Sequence, residues 1–117
     1  PPMNILPAMR EGDELVVAEG WRIPYSGPGP RGEVKVGLRP EAIELVPQAG
    51  PDTAPARVLV SEPLGSEVIV NVMLGEHMIH VRTGPDVRPR PDDVVYLRAI
   101  PSGIRLFDAE TGDYLKP

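Results

Sequence analysis

The sequence contains no cysteine, few aromatic residues and no long apolar run. The lack of cysteine excludes disulfides, thiolate metal sites and cysteine nucleophiles, and it favours a reducing compartment. No apolar stretch approaches the roughly 20 residues that a membrane-spanning helix needs, and no signal-peptide pattern opens the chain. Because aromatic residues make up only 4% of the chain, we expect a core of valine, leucine and isoleucine.

An excess of positive charge is also missing. The net charge is −5 and no basic stripe is present, whereas proteins that bind duplex DNA or RNA are expected to show one. Barrels that bind single strands combine a basic groove with aromatic stacking platforms, and the composition disfavours this class as well. The two lysines, Lys35 and Lys116, do not follow glycines. The phosphate-binding loop of nucleotide hydrolases is therefore absent.

Proline and glycine are abundant instead. Sixteen prolines and twelve glycines divide the 117 residues into short apolar stretches. No window of eleven or more residues has a 3.6-residue apolar period, so we expect little helix beyond a single turn after Pro40 or near Asp108. Apolar alternation predicts strands over 14–18, 21–25, 34–38, 43–46, 56–60, 68–74, 77–82, 94–99 and 104–107.

This strand pattern predicts an all-β fold of short strands joined by loops rich in proline and glycine. A small barrel of the oligonucleotide/oligosaccharide-binding (OB) type suits the length and the strand count. We expect a single domain over residues 1–117, and we expect the halves before and after Pro55 to contribute one sheet each.

The sequence offers no catalytic constellation. His77 and His80 lie three residues apart in a predicted strand, on opposite faces, where they cannot chelate one metal ion. The adjacent Asp92 and Asp93 are typical of turn residues. No serine lies in a nucleophile motif. We therefore predict that this chain has no catalytic, cofactor or metal site and is not itself an enzyme.

Two short segments are the candidate sites. Arg39 and Pro40 end an apolar alternation, because proline donates no hydrogen bond and biases the preceding residue toward an extended conformation. We expect Arg39, Pro40 and Glu41 to hold the strand exit through a salt bridge or backbone hydrogen bonds, at a subunit contact. Gly65 and Ser66 form a turn that can present N–H groups to an anion. The alternative is a tight strand connection.

Four segments, in order, resemble the C-terminal domain of ABC-importer ATPase subunits of the maltose, multiple-sugar and glycerol-phosphate type. Pro2–Leu6 resembles its Pro-x-Met-Asn-Phe-Leu stretch, and Val36–Glu41 resembles its Leu-Gly-Ile-Arg-Pro-Glu signature. Val60–Glu67 resembles the strand and turn of its transport-associated OB (TOBE) module. Leu106–Gly112 resembles its closing motif.

The resemblance implies a regulatory and dimerisation domain of an importer's ATP-binding subunit. Because Pro1-Pro2 precedes Met3, we expect a fragment of a longer subunit, with ATP and Mg²⁺ held by a nucleotide-binding domain outside this sequence. The implied partners are a second copy, the permease subunits through the parent ATPase and, in some members, a regulatory protein. The implied location is cytoplasmic, at the inner membrane through the complex only.

Two alternatives remain open. Related TOBE modules bind oxyanions such as molybdate, so a small-ligand module for an oxyanion or a sugar is the second hypothesis, with the turn at Gly65 and Ser66 as its site. A nucleic-acid-binding OB domain ranks last.

Overall fold

The computed structural model describes residues 2–116, and ten strands account for most of them. Three single 3₁₀ turns lie at 18–20, 40–42 and 101–103, and no α-helix occurs among the described residues. The all-β prediction is confirmed. The strands are β1 (Asn4–Glu11), β2 (Glu14–Val16), β3 (Arg22–Pro24), β4 (Gly32–Leu38), β5 (Ile43–Val46), β6 (Thr53–Pro63), β7 (Val68–Leu74), β8 (His77–Thr83), β9 (Val94–Ala99) and β10 (Ile104–Asp108).

The strands form two antiparallel five-stranded sheets. The first sheet has the order β10-β4-β1-β2-β3, and the second has the order β5-β9-β6-β7-β8. The chain passes from the first sheet to the second at the 3₁₀ turn Pro40–Ala42, and β10 returns to the first sheet. The expected division at Pro55 is therefore wrong, because Pro55 lies inside the continuous strand β6.

Prolines inside two strands explain why the sequence pattern predicts neither strand β1 nor the continuity of strand β6. Pro7 pairs with Lys35 of β4, but on the other side of β1 the strand β2 pairs only from Met9 onward. Pro55 pairs with Tyr96 of β9, while β7 joins β6 only from position 57. Each proline thus lies where its strand has a single neighbouring strand, an edge-like position of the kind to which proline is confined in sheets. Pro7 also explains why the sequence pattern does not predict strand β1, because a proline inside an apolar stretch indicates a break in the strand.

The second sheet curls into a half-closed barrel. Its edge strands β5 and β8 are not paired by hydrogen bonds, yet they lie against each other. A register shift between Val58 and Val60 in β6 marks a bulge, which bends a strand and increases its twist. The expected OB-like barrel is confirmed in this sheet, with the first sheet packed beside it.

One aliphatic core joins the two sheets. Leu6 and Val36 of the first sheet and Val72 and Ile79 of the second belong to one buried cluster. Full burial of such a side chain contributes about 1.5–3 kcal/mol. Trp21, which is fully buried, is the largest side chain in this cluster, and its Nε1–H donates to the Asp52 carbonyl at 3.0 Å. That bond fastens the connection between β2 and β3 to the loop before β6.

Candidate functional site

The predicted strand exit at Arg39 is held by its backbone. Arg39 is extended (φ −65°, ψ 151°), buried Pro40 opens the 3₁₀ turn, and the Ala42 N–H donates to the Arg39 carbonyl at 2.8 Å. A proline at the first position of a turn is favourable because its φ is already set. This backbone hydrogen bond closes the turn at the exit from β4.

Arg39 forms no salt bridge among residues 2–116, whereas Glu41 does. Glu41 faces Arg82 of β8, with 3.7 Å between Glu41 Oε1 and Arg82 Nη1. Arg82 also lies beside Glu67, with 3.0 Å between Nε and Oε2. That buried Nε–H is close to the carboxylate but is not aligned as a hydrogen bond, so the contact is electrostatic. Arg82 therefore joins the 3₁₀ turn to the end of the β6–β7 connection.

The turn at Gly65 and Ser66 connects β6 to β7 tightly. Gly65 has φ +79°, a left-handed conformation that glycine adopts without strain, and the Leu64 N–H donates to the Glu67 carbonyl at 2.8 Å. Both residues are exposed. The flanking carboxylates, Glu62 and Glu67, repel an anion, and Arg82 is already held by two carboxylates. The geometry thus fits the strand connection better than an anion cradle.

Asn4 connects the two sheets, a role that the sequence did not indicate. Its side chain is 6% exposed, and its Oδ1 accepts from the His80 N–H at 2.8 Å. Its Nδ2 donates to the His80 carbonyl at 2.9 Å and to the Leu38 carbonyl at 3.0 Å. Because β8 is an edge strand, the Asn4 amide supplies the pairing that a neighbouring strand would otherwise provide.

A second polar chain crosses the outer face of the second sheet. Asn71, 6% exposed, donates through Nδ2 to Glu62 Oε1 at 2.7 Å, and its Oδ1 is hydrogen-bonded to His80 Nδ1. The opposite-face prediction for the two histidines is confirmed by the alternation in β8: His80 shares the outer face with Met78, whereas Ile79 lies in the core. The one available sequence signal was the polar Asn71 inside an apolar, β-branched run.

Three of the four family-like segments meet at Gly37. A Cβ atom at this position would lie 2.6 Å from Phe107 Cε2 and would also contact Met3 Sδ. Met3 belongs to the opening segment, Gly37 to the signature and Phe107 to the closing motif. Any larger residue here would have to displace the Met3 or Phe107 side chain from the outer face of the first sheet.

Asp108 shapes the closing motif. Its Oδ1 accepts from the backbone N–H groups of Thr111 at 2.8 Å and Glu110 at 2.9 Å. These two hydrogen bonds lower the pKa of the Asp108 carboxyl, because they favour its charged form. Phe107 then packs against Tyr114 with the two rings tilted by 49° and 5.7 Å between their centroids. The chain after β10 is thereby folded back onto the first sheet.

The structure has neither a metal-binding cluster nor a membrane-spanning helix among the described residues. Within residues 2–116, no three side chains of His, Cys, Asp or Glu are grouped so as to hold a metal ion. No helix in this part of the chain is long and apolar enough to span a membrane.

The match to a family model decides the classification. A model of the TOBE domain matches residues 36–107, from β4 to β10. The chain belongs to the TOBE-domain family. The resemblance inferred from the four segments is thereby confirmed for the two that the match contains whole, Val36–Glu41 and Val60–Glu67.

Curated relatives of this TOBE domain extend the match to nearly the whole chain. The sulfoquinovosyl glycerol transport ATP-binding protein SmoE of Agrobacterium fabrum is 36% identical over 95% of this chain and 33% of its own length. The sn-glycerol-3-phosphate import ATP-binding protein UgpC of Escherichia coli is 30% identical over 96% of this chain and 33% of its own. The chain thus spans about a third of the length of the curated relatives it matches.

A solved structure shares the fold. The cytoplasmic molybdate-binding protein ModG, in a form with molybdate bound, aligns with a TM-score of 0.69 over 88% of this chain and 94% of that one. The sequence identity is 13%. At that identity the likeness concerns the fold alone.

Proposed function

We propose that this chain is a regulatory and dimerisation domain of the ATP-binding subunit of an ABC importer, for solutes of the carbohydrate or glycerol-phosphate type. The observation that carries the proposal is the alignment of SmoE and UgpC, both named as transport or import ATP-binding proteins, over 95% and 96% of this chain. The fragment carries out no catalysis in this proposal. ATP and Mg²⁺ bind elsewhere in the parent subunit.

The surface of the domain supports an assembly role. Large apolar side chains remain exposed on both sheets, among them Ile5 on the first and Leu64, Met78 and Val94 on or beside the second. Of these, Leu64 and Met78 line the same groove, and adjoining exposed apolar groups often mark contact sites for other proteins. The proposed partners are a second copy of the subunit, the permease subunits through the parent, and a regulatory protein. The proposed location is the cytoplasmic side of the inner membrane, through the complex.

Arg39, Pro40 and Glu41 fit this role as a structural corner. Glu41 and Arg82 tie the passage between the sheets to β8, while the Arg39 side chain is exposed. We expect Arg39 to contribute to a subunit contact, because its planar guanidinium can bond several acceptors at once. Replacement by alanine is expected to weaken dimerisation of the parent subunit.

Small-ligand binding is the competing function, and the turn at Gly65 and Ser66 is its candidate site. The shared fold with ModG motivates it, but the carboxylates of Glu62 and Glu67 beside this turn oppose an oxyanion. Calorimetric titration of the chain with molybdate, tungstate and neutral sugars separates the two functions. Saturable heat with an oxyanion, lost in Gly65→Val, supports the ligand module. Salt-sensitive binding of single-stranded nucleic acid would support the third hypothesis.

The assembly proposal is tested in a chimaera. The segment of E. coli UgpC that aligns with this chain is replaced by this chain, and a UgpC lacking the segment is the control. We expect the chimaera to co-purify as a dimer with the importer's membrane subunits, at a yield above that of the truncated control. A chimaera that is folded and abundant yet no better than the truncation in assembly would contradict the proposal.

A further inference from the structure

A groove of about 530 Å³ crosses the outer face of the second sheet, over β6, β7 and β8. Apolar side chains form its walls, and three of these side chains are accessible to solvent. Val60 is 44% exposed, and Leu64 and Met78 are each 54% exposed. Its floor is the hydrogen-bonded chain of Glu62, Asn71 and His80. Leu64 and Met78, two of the exposed apolar side chains named above, thus lie beside a polar floor.

The floor has a defined polarity. An ionised carboxylate only accepts hydrogen bonds, so Glu62 requires the Nδ2 end of the Asn71 amide to face it. The Oδ1 end then faces His80, and in the neutral ring the proton must lie on Nδ1. The His80 Nε2 atom is left as an acceptor, with no hydrogen-bond partner among the described residues. Glu62 Oε2 is likewise free to accept within residues 2–116.

The chemistry of the groove therefore selects its occupant. Its unused polar groups are acceptors, and Glu62 is the single carboxylate among the described lining residues, which include no lysine or arginine. We propose that the groove binds a lysine side chain that a partner protein presents between apolar residues. The ammonium group of this lysine donates to the Glu62 carboxylate. A second N–H or O–H group of the partner donates to His80 Nε2. The methylene stem and the flanking residues cover Val60, Leu64 and Met78.

The exposed walls favour a protein partner over a free amine. A small amine reaches the polar floor but leaves most of the Leu64 and Met78 surface in water, whereas a protein segment covers it. An anion is disfavoured by the Glu62 charge. The groove and its occupant do not depend on the importer role, so a failure of this proposal leaves that role standing.

The test is titration of the chain with a set of matched probes, with binding measured from the changes in amide chemical shifts in NMR spectra. The probes are acetyl-Leu-Lys-Leu-amide, the same peptide with norleucine in place of lysine, and butylammonium. We expect the lysine peptide to shift the amides of Asn71, Met78 and His80 and to bind about fivefold more tightly than the norleucine peptide. Butylammonium is expected to bind about tenfold more weakly than the lysine peptide.

Two groove variants and one control complete the test. Glu62→Gln is expected to abolish the preference for lysine over norleucine, and Met78→Ser to weaken both peptides. Glu76→Gln, the same charge change at the exposed β7–β8 turn, is expected to change neither. Butylammonium binding as tightly as the lysine peptide, equal affinity of the two peptides, or no shift in the groove at millimolar peptide would each overturn the proposal.

Discussion

Asn4 and His80 form a two-way hydrogen-bonded pair between the sheets: the Asn4 amide accepts the His80 N–H and donates to the His80 carbonyl. The side chain thus replaces a missing strand along the edge of β8. The same amide also donates to the Leu38 carbonyl at the end of β4. Asn4 therefore couples the opening segment, the signature strand and the edge of the barrel.

Replacing Asn4 by alanine is expected to lower the free energy of unfolding by about 2–3 kcal/mol, because buried backbone groups lose their partners. Urea unfolding measures the loss, and amide hydrogen exchange is expected to accelerate at His80. Gln48→Ala, which removes an amide from an exposed loop residue, serves as the control and is expected to change stability by less than about 0.5 kcal/mol. Unchanged exchange at His80 in Asn4→Ala would refute this role.

Gly37→Ala is expected to destabilise the domain by about 1–3 kcal/mol, since the added methyl group must displace Phe107 and Met3. Thermal unfolding checks the size of the effect. Gly84→Ala is the matched control, because a Cβ at that glycine meets no atom within 4 Å. Equal melting temperatures for the two variants would show that the close packing at Gly37 carries no energetic cost.

Arg82→Met is expected to destabilise the domain by about 1 kcal/mol, because Glu41 and Glu67 lose the guanidinium between them. Arg98→Met breaks a single exposed pair with Glu44 and is expected to cost about half as much or less. High salt should reduce the difference between wild type and Arg82→Met. Urea unfolding at low and high salt measures the free energy of unfolding of each variant. Equal losses of free energy in Arg82→Met and Arg98→Met would contradict the role of Arg82 in joining Glu41 and Glu67.

The Asp108 carboxyl is expected to titrate below its ordinary pKa of 3.8. Because the folded-state pKa is lowered, the stabilisation is present above the unfolded-state value and is lost as the pH falls through the folded-state value. Asp108→Asn keeps an acceptor oxygen but cannot titrate. The stability difference between wild type and this variant should be constant near neutral pH and change below about pH 4. A carboxyl pKa at or above 3.8, measured by NMR, is the contrary result.

Local patterns predicted those strands whose apolar alternation is uninterrupted. Strands β5, β7 and β9 have the predicted limits, because β-branched and apolar residues fill them and turn residues flank them. The local pattern does not predict strand β1 and puts the sheet boundary at Pro55, because a proline in a strand argues for a break until the neighbouring strands are known. Whether the missing N–H matters depends on the pairing, which no local window contains.

The candidate site was predictable only in part for a similar reason. The turn at Pro40 followed from its neighbours, but the partner of Glu41 is Arg82, on a strand that follows much later in the chain. Likewise Glu62, Asn71 and His80 lie on three strands, and only the register of β6, β7 and β8 brings them together. The family-like segments were visible in the sequence, whereas their contact at Gly37 required the structure.

The most direct test of the central claim is solute uptake by cells whose UgpC has been replaced by the chimaera that contains this chain. The account predicts uptake of sn-glycerol-3-phosphate well above that of cells with the truncated UgpC, and it predicts that the Gly84→Ala chimaera retains this uptake. A chimaera present at the wild-type level that supports no more uptake than the truncation would contradict the claim that this TOBE domain serves an importer's ATP-binding subunit.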